Sequence, residues 1–180
     1  MKVAILTVSD RCSRGEAEDL TGPALRDALA AAGAEVLEIA VVPDVAERIQ
    51  AELVRFSDQV GADVVFTNGG TGLGPRDVTP EATEVVLHRR APGIAEAMRT
   101  RSLAHAPTAM LSRGTAGLRG RTLIVNLPGS PRGARECLEV VLPVLDHAIL
   151  MIAGGGHEPK ALGDGGRTSG ATERPDIPLR

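Results

Sequence analysis

The stretch Asp63-Val64-Val65-Phe66-Thr67-Asn68-Gly69-Gly70-Thr71-Gly72-Leu73-Gly74-Pro75-Arg76-Asp77-Val78-Thr79-Pro80-Glu81 passes from an apolar strand through a glycine loop into a helix start. Four glycines between 69 and 74 let backbone N–H groups approach a ligand where a Cβ would clash. Thr79 suits an N-cap, Pro80 the first helical position, and Glu81 the positive end of the helix dipole. Strand, loop and helix start together make an anion-binding arrangement. Arg76 adds a fixed positive charge, and Asp77 adds the hard oxygen that Mg²⁺ prefers. The combination points to a phosphorylated substrate, with a tight structural turn as the plainer alternative.

The rest of the chain continues the alternation. Val3 to Val8 reads as a buried strand, and Thr21-Gly22-Pro23 opens a helix that puts Leu25, Leu29 and Ala32 on one face before Gly33. Val36 to Val42 is a second strand. Asp44 leads into a helix with Ile49, Leu53, Phe56 and Val60 spaced four, three and four apart, ended by Gly61. Beyond the glycine loop a helix is expected from Pro80 to Arg89, and another from Ile94 to Leu103. Thr122 to Asn126 is a further buried strand. It enters Leu127-Pro128-Gly129-Ser130-Pro131-Arg132-Gly133 and then a long helix, which Pro143 is expected to kink. Strands alternating with helices over short connections predict a three-layer α/β/α sandwich on a mostly parallel sheet. Residues 1–153 form its one domain. From Gly154 the composition turns to Gly, Pro and charge, so 154–180 is expected to be a tail, poorly structured or draped on the surface.

Composition removes several function classes. The 180 residues are 43% hydrophobic, yet Phe56 and Phe66 are the only aromatic side chains, so the core must be aliphatic. Base stacking on aromatic residues is essentially unavailable, and a net charge of −3 argues against an electrostatic nucleic-acid binder. Cys12 and Cys137 lack any paired Cys/His spacing and read as two free thiols. The four histidines likewise show no ligand spacing, with His88 and His147 placed on helices. No signal-peptide pattern and no apolar span of about 18 residues is present, which predicts a cytoplasmic protein with no membrane partner.

In a parallel sheet the loops after the strands emerge on one edge, where ligands bind. That edge collects Ser9-Asp10-Arg11, Pro43-Asp44, the glycine loop with Arg76 and Asp77, and Pro128 to Gly133. The loop is no Walker A motif, because no Lys-Ser/Thr follows the glycines. It fails the dinucleotide fingerprint too, since Pro75 stands where the third glycine belongs; this disfavours a dehydrogenase. Asp44 reads either as the cap of the helix at Val45-Ala46-Glu47 or, with Asp77, as a Mg²⁺ ligand. Arg76 is either a solvated charge or an anion fork, and Ser130 both an N-cap and part of a second anion site.

At these residues the chain resembles the molybdopterin adenylyltransferase family, whose fold is shared with the gephyrin G domain. The matching segments are Ser9-Asp10-Arg11, Asp19-Leu20-Thr21-Gly22-Pro23, Val42-Pro43-Asp44, residues 67–81, Pro107-Thr108-Ala109-Met110-Leu111-Ser112-Arg113, and Asn126-Leu127-Pro128-Gly129-Ser130-Pro131. They stand in family order across residues 3–152. The resemblance implies that molybdopterin and ATP, with Mg²⁺, give adenylyl-molybdopterin and pyrophosphate in molybdenum cofactor biosynthesis. It implies Asp44 and Asp77 as the catalytic, Mg²⁺-holding carboxylates, and Gly69, Gly70, Thr71 and Gly72 as a cradle for nucleotide phosphate. Ser9, Asp10 and Arg76 would join the substrate site, and Ser112, Gly129, Ser130 and Pro131 would bind the pterin side. A homotrimer, or trimers paired into hexamers, and other proteins of the pathway are the implied partners. The alternative is a non-catalytic molybdopterin-binding or scaffold protein, against which the two retained carboxylates count.

Overall fold

A computed structural model describes residues 1–155. Its centre is a six-stranded sheet formed by β1 (Lys2–Val8), β2 (Glu35–Val42), β3 (Val64–Asn68), β4 (Arg89–Arg90), β5 (Ala116–Arg119) and β6 (Thr122–Leu127). The spatial order is β2-β1-β3-β6-β5-β4, with β2, β1, β3 and β6 parallel and β5 antiparallel to both β6 and β4. The expected three-layer, mostly parallel sandwich is what forms. The tail expected from Gly154 falls, after Gly155, outside the described residues.

Each central strand is apolar on both faces because helices cover both. Val3 and Ile5 pack on one side with α2 (Thr21–Ala31), α5 (Pro92–Leu103) and α6 (Pro131–Ile152) through Leu25, Leu29, Met98, Leu138 and Val141. Ala4, Leu6 and Val8 face the other side, where α3 (Ala46–Arg55) and α4 (Thr79–Val86) bring Ile49, Leu53, Ala82 and Val86. The period-2 alternation of β1 thus divides one apolar run between two cores. Phe56 and Phe66 are fully buried on opposite sides of the sheet. Leu53→Ala, which empties a fully buried site in the α3 core, is expected to cost about 2–5 kcal/mol in urea unfolding. A cost under 1 kcal/mol would contradict this packing.

Local readings diverge in several places. The sheet carries an antiparallel edge that the sequence pattern does not predict: β5 and β6 are joined by Gly120-Arg121, with Gly120 at φ +55°, as a two-residue hairpin requires. Gly117 is needed beside it, because a Cβ there would lie 2.5 Å from the Arg89 carbonyl oxygen of β4. The helix expected to reach Arg89 therefore stops at Val86, and His88 sits between α4 and β4, its Nδ1 accepting from the Gly120 N–H. A short α1 (Asp10–Ser13) follows β1, capped by Ser9, whose Oγ accepts from the Cys12 N–H. The stripe Ile49, Leu53 and Phe56 is fully buried as its spacing predicts, and the chain winds into a wider π turn at Phe56–Val60 before Gly61 at φ +73°. Helix α6 continues through Pro143 to Ile152.

Candidate functional site at the β1/β3 switch point

The chain leaves β1 toward β2 on one side and later returns to β3 on the other, so the loops after β1 and β3 diverge. A parallel sheet opens its ligand crevice at such a switch point. Here a cavity of about 290 Å³ is lined by Thr7, Ser9, Asp19, Thr21, Asn68, Gly69, Gly129 and Pro131. Its floor is a hydrogen-bonded chain: Asn68 Nδ2 donates to Thr7 Oγ1, which donates to Asp19 Oδ2. Asp19 Oδ1 accepts from the Thr21 and Gly22 N–H groups and so caps α2, while Thr21 Oγ1 donates to the Gly129 carbonyl. One carboxylate thereby ties α2 to β1, and the α2 start reaches the loop after β6. The sequence shows Asp19 only as part of the matching segment Asp19-Leu20-Thr21-Gly22-Pro23 and gives it no role of its own, although its place two residues before Thr21 is a capping signal.

The glycine loop is held from both ends. Gly69 and Gly70 adopt φ +95° and +62°, and a Cβ on Gly69 would stand 2.2 Å from the Val8 carbonyl oxygen. Thr79 is the first residue of α4 and not its cap: Thr79 Oγ1 donates to the Gly69 carbonyl and its N–H to the Gly70 carbonyl. The hydroxyl closes the loop at its base, which is why it does not serve the helix. Asp77 Oδ2 accepts from the Gly74 N–H at 2.8 Å and lies 2.9 Å from where a Cβ on Gly72 would be. The alternating glycines thus leave room for this carboxylate inside the loop's curve.

The carboxylates from three loops converge. Asp44 is no helix cap; α3 begins after Val45 with no side-chain cap. Instead Asp44 Oδ2 accepts from the Asp10 N–H at 2.7 Å, and Asp10 Oδ1 accepts from the Asp44 N–H at 3.1 Å. Asp44 Oδ1 lies 3.0 Å from the Cβ position of Gly70, placing this carboxylate against the loop. Arg76 reaches back to Asp10 in a bidentate pair at 3.0 Å. The Arg76 side chain is 62% exposed, and an exposed pair is worth only about 0–1 kcal/mol, so a phosphate can recruit the guanidinium. Asp10, Asp44, Arg76 and Asp77 therefore gather along the rim made by the glycine loop, next to the cavity that Ser9 and Gly69 line.

Burial pushes the Asp44 carboxyl above its ordinary value, and the Asp10 and Asp77 charges add to the shift against the Asp10 N–H and Arg76. Desolvation acts the same way on Asp10, but the Asp44 N–H and Arg76 outweigh it and hold that carboxyl low. A raised folded-state value means the native chain keeps its proton longer than the unfolded one. Asp44 therefore costs stability progressively as pH rises through that window. Asp44→Asn, which can still accept from the Asp10 N–H, is expected to stabilise the ligand-free chain. Its advantage over wild type should widen as pH rises above about 4, the ordinary carboxylate value, in urea unfolding. An advantage that shrinks with pH would contradict the crowding of these carboxylates.

Ser112 and Ser130 lie elsewhere. They line a separate cavity of about 200 Å³ with Asn126, Pro128, Arg99 and Cys137, and Asp10, Asp44 and Asp77 line neither this cavity nor the first. Ser130 caps α6 by accepting from the Gly133 N–H, as expected. Gly129 stands between the two cavities: its Cβ position is 3.2 Å from Gly69 Cα, while its neighbour Ser130 faces the second space. Buried Asn126 fixes the floor there, donating to Thr67 and Thr83 hydroxyls and accepting from the Thr115 N–H. Both cysteines are free, Cys12 half-buried and Cys137 buried. Among the described residues no group of three or more His, Cys, Asp or Glu forms a metal centre, and no helix is long and apolar enough to cross a membrane. Asp44 and Asp77 both abut the glycine loop, and carboxylate oxygens are the hard donors that Mg²⁺ takes.

With this geometry in hand, residues 4–147 match the family model described as a probable molybdopterin binding domain. The chain belongs to the molybdopterin adenylyltransferase family. The molybdopterin adenylyltransferase of Helicobacter pylori is 44% identical over 154 residues, covering 84% of this chain and 88% of that protein. The Escherichia coli K12 protein of the same name is 41% identical over 143 residues, covering 78% and 73%. Among solved structures, the molybdopterin biosynthesis enzyme MoaB from Thermus thermophilus superposes with a TM-score of 0.81 at 55% identity, over 85% of this chain and 96% of that one. The family match spans both cavities and every rim residue, so it covers the whole site described above.

Proposed function

We propose that this chain is a molybdopterin adenylyltransferase of molybdenum cofactor biosynthesis, which moves AMP from ATP to the terminal phosphate of molybdopterin. The observation that carries the reading is the convergence of Asp44 and Asp77 on a glycine loop at the switch point, next to a second cavity holding Ser112 and Ser130. The similar proteins named as molybdopterin adenylyltransferases support the same activity.

In the proposed reaction a terminal phosphate oxygen of molybdopterin forms a bond to the α-phosphorus of ATP. The bond from that phosphorus to the α,β-bridging oxygen breaks, and pyrophosphate leaves with the electron pair. No protein nucleophile is required, because alignment and charge neutralisation supply most of the rate. The N–H groups of Gly69 to Gly72 would cradle phosphate oxygens, with Thr71 setting the loop's turn and Arg76 exchanging Asp10 for an anion. Ser9 and Asp10 would position the same group from the β1 side. Ser112 and Ser130 would hold the pterin side in the second cavity, and Gly129 and Pro131, which line the first, would point its phosphate toward the rim. Asp44 and Asp77 would hold Mg²⁺, which when bound neutralises phosphate charge. A homotrimer belongs to the same proposal and is checked by sedimentation.

Incubation with molybdopterin, ATP and Mg²⁺ is expected to release pyrophosphate in step with AMP transfer. Bound molybdopterin without pyrophosphate release would favour the non-catalytic binding role instead.

A further inference from the structure

Arg113 follows Ser112 directly and lines neither of the two cavities. Its backbone N–H donates to the Thr71 carbonyl at 2.9 Å, and its Nε donates to the Gly72 carbonyl at 2.7 Å. One Nη donates to the Asp77 main-chain carbonyl and the other to the Glu81 carboxylate at the start of α4. A single side chain therefore bridges the entry of the glycine loop, its exit at Asp77, and the helix that follows. Only a planar fork with several fixed donors can serve these acceptors together. Its guanidinium is spent on the protein, which sets it apart from Arg76. The preceding residue lines the second cavity, so the clamp also joins the Ser112 segment to the loop.

The geometry points to Arg113 as a positioning residue that sets where the Asp77 carboxylate stands relative to the Ser112 cavity. The inference rests on the proposed adenylyl transfer for its kinetic consequence. Its structural content is independent of turnover: Arg113 acts through the 71–77 loop, and Asp77 is the group it delivers. Lysine keeps the charge but reaches only a subset of these acceptors, so it should behave as a loss.

The test is a double-mutant cycle on the full chain with Arg113→Lys, Asp77→Ala and the pair. Arg113→Lys alone should lower kcat by about 10-fold or more and raise the Mg²⁺ concentration needed for half-maximal rate, with a smaller change in KM for molybdopterin. On top of Asp77→Ala it should cost almost nothing further, because the group it positions is gone. Mg-ATP affinity by calorimetry should show the same non-additivity. Hydrogen exchange gives a reading without any ligand: the Gly74, Asp77 and Thr79 amides, each bonded within the loop, should exchange about 10-fold faster in Arg113→Lys while the β1 and β3 amides are unchanged. Losses that simply add, or exchange at 74–79 equal to wild type, would overturn the inference. Affinity and exchange need no turnover, so they decide it separately from the proposed reaction.

Discussion

Asp77→Ala is expected to lower the rate of pyrophosphate release by about 10²- to 10³-fold, the scale of removing one preorganised electrostatic group from a transition state. The loop's geometry makes this prediction separable. Asp77 has two duties, one as a charge and one as acceptor of the Gly74 N–H. Asp77→Asn keeps an acceptor for that bond and loses the charge. Both variants should therefore lose activity to a similar extent, with unfolding midpoints close to wild type. Full activity in Asp77→Asn with loss in Asp77→Ala would assign Asp77 to loop geometry alone. Asp44→Ala should give a loss of the same order, because Asp44 meets the same loop at Gly70.

Gly69→Ala carries the largest expected effect on stability. At φ +95° an L-residue is strained by about 1–3 kcal/mol, and the new Cβ would lie 2.2 Å from the Val8 carbonyl oxygen, part of the backbone of a strand buried from Val3 to Val8. Overpacking of that kind adds about 1–3 kcal/mol, so the total should reach about 2–6 kcal/mol. Gly15→Ala isolates the clash: Gly15 has φ +72° with nothing within 4 Å of its Cβ position, and should cost only about 1 kcal/mol. Equal urea midpoints for the two variants would show that the β1 and β3 loops do not touch as described. The close approach matters for function, since it brings the loop after β3 against the end of β1 and places Asp10 and Asp77 on one rim.

How much of this was legible in the sequence depended on the range of the interaction. The strands at Val3, Val64 and Thr122 were readable because each is an apolar run bounded by turn residues. The α3 stripe was readable because 3.6-residue periodicity is local. The β4–β5 edge was not, since Arg89-Arg90 has no apolar residue and Ala116-Gly117-Leu118-Arg119 is too short, with only Ala116 and Leu118 alternating, to mark a strand. Its one signal was Gly120-Arg121 between them and β6. Thr79 and Asp44 were open to a capping role because Thr79 stands before Pro80 and Asp44 before Val45-Ala46-Glu47, yet each spends its side chain on a partner farther away along the chain. Thr79 bonds Gly69, and Asp44 bonds Asp10 across 34 residues. The convergence of Asp10, Asp44, Arg76 and Asp77 on one edge followed from topology alone. Their pairings, the split between two cavities, and the clamp made by Arg113 depended on packing that no local pattern encodes.

A crystal of the chain soaked with a non-hydrolysable ATP analogue and Mg²⁺ tests the central claim most directly. The account predicts density for triphosphate along the N–H groups of Gly69 to Gly72, with a metal ion between Asp44 and Asp77 and Arg76 turned from Asp10 to a phosphate oxygen. Nucleotide bound only in the Ser112–Ser130 cavity, with both carboxylates untouched, would contradict it.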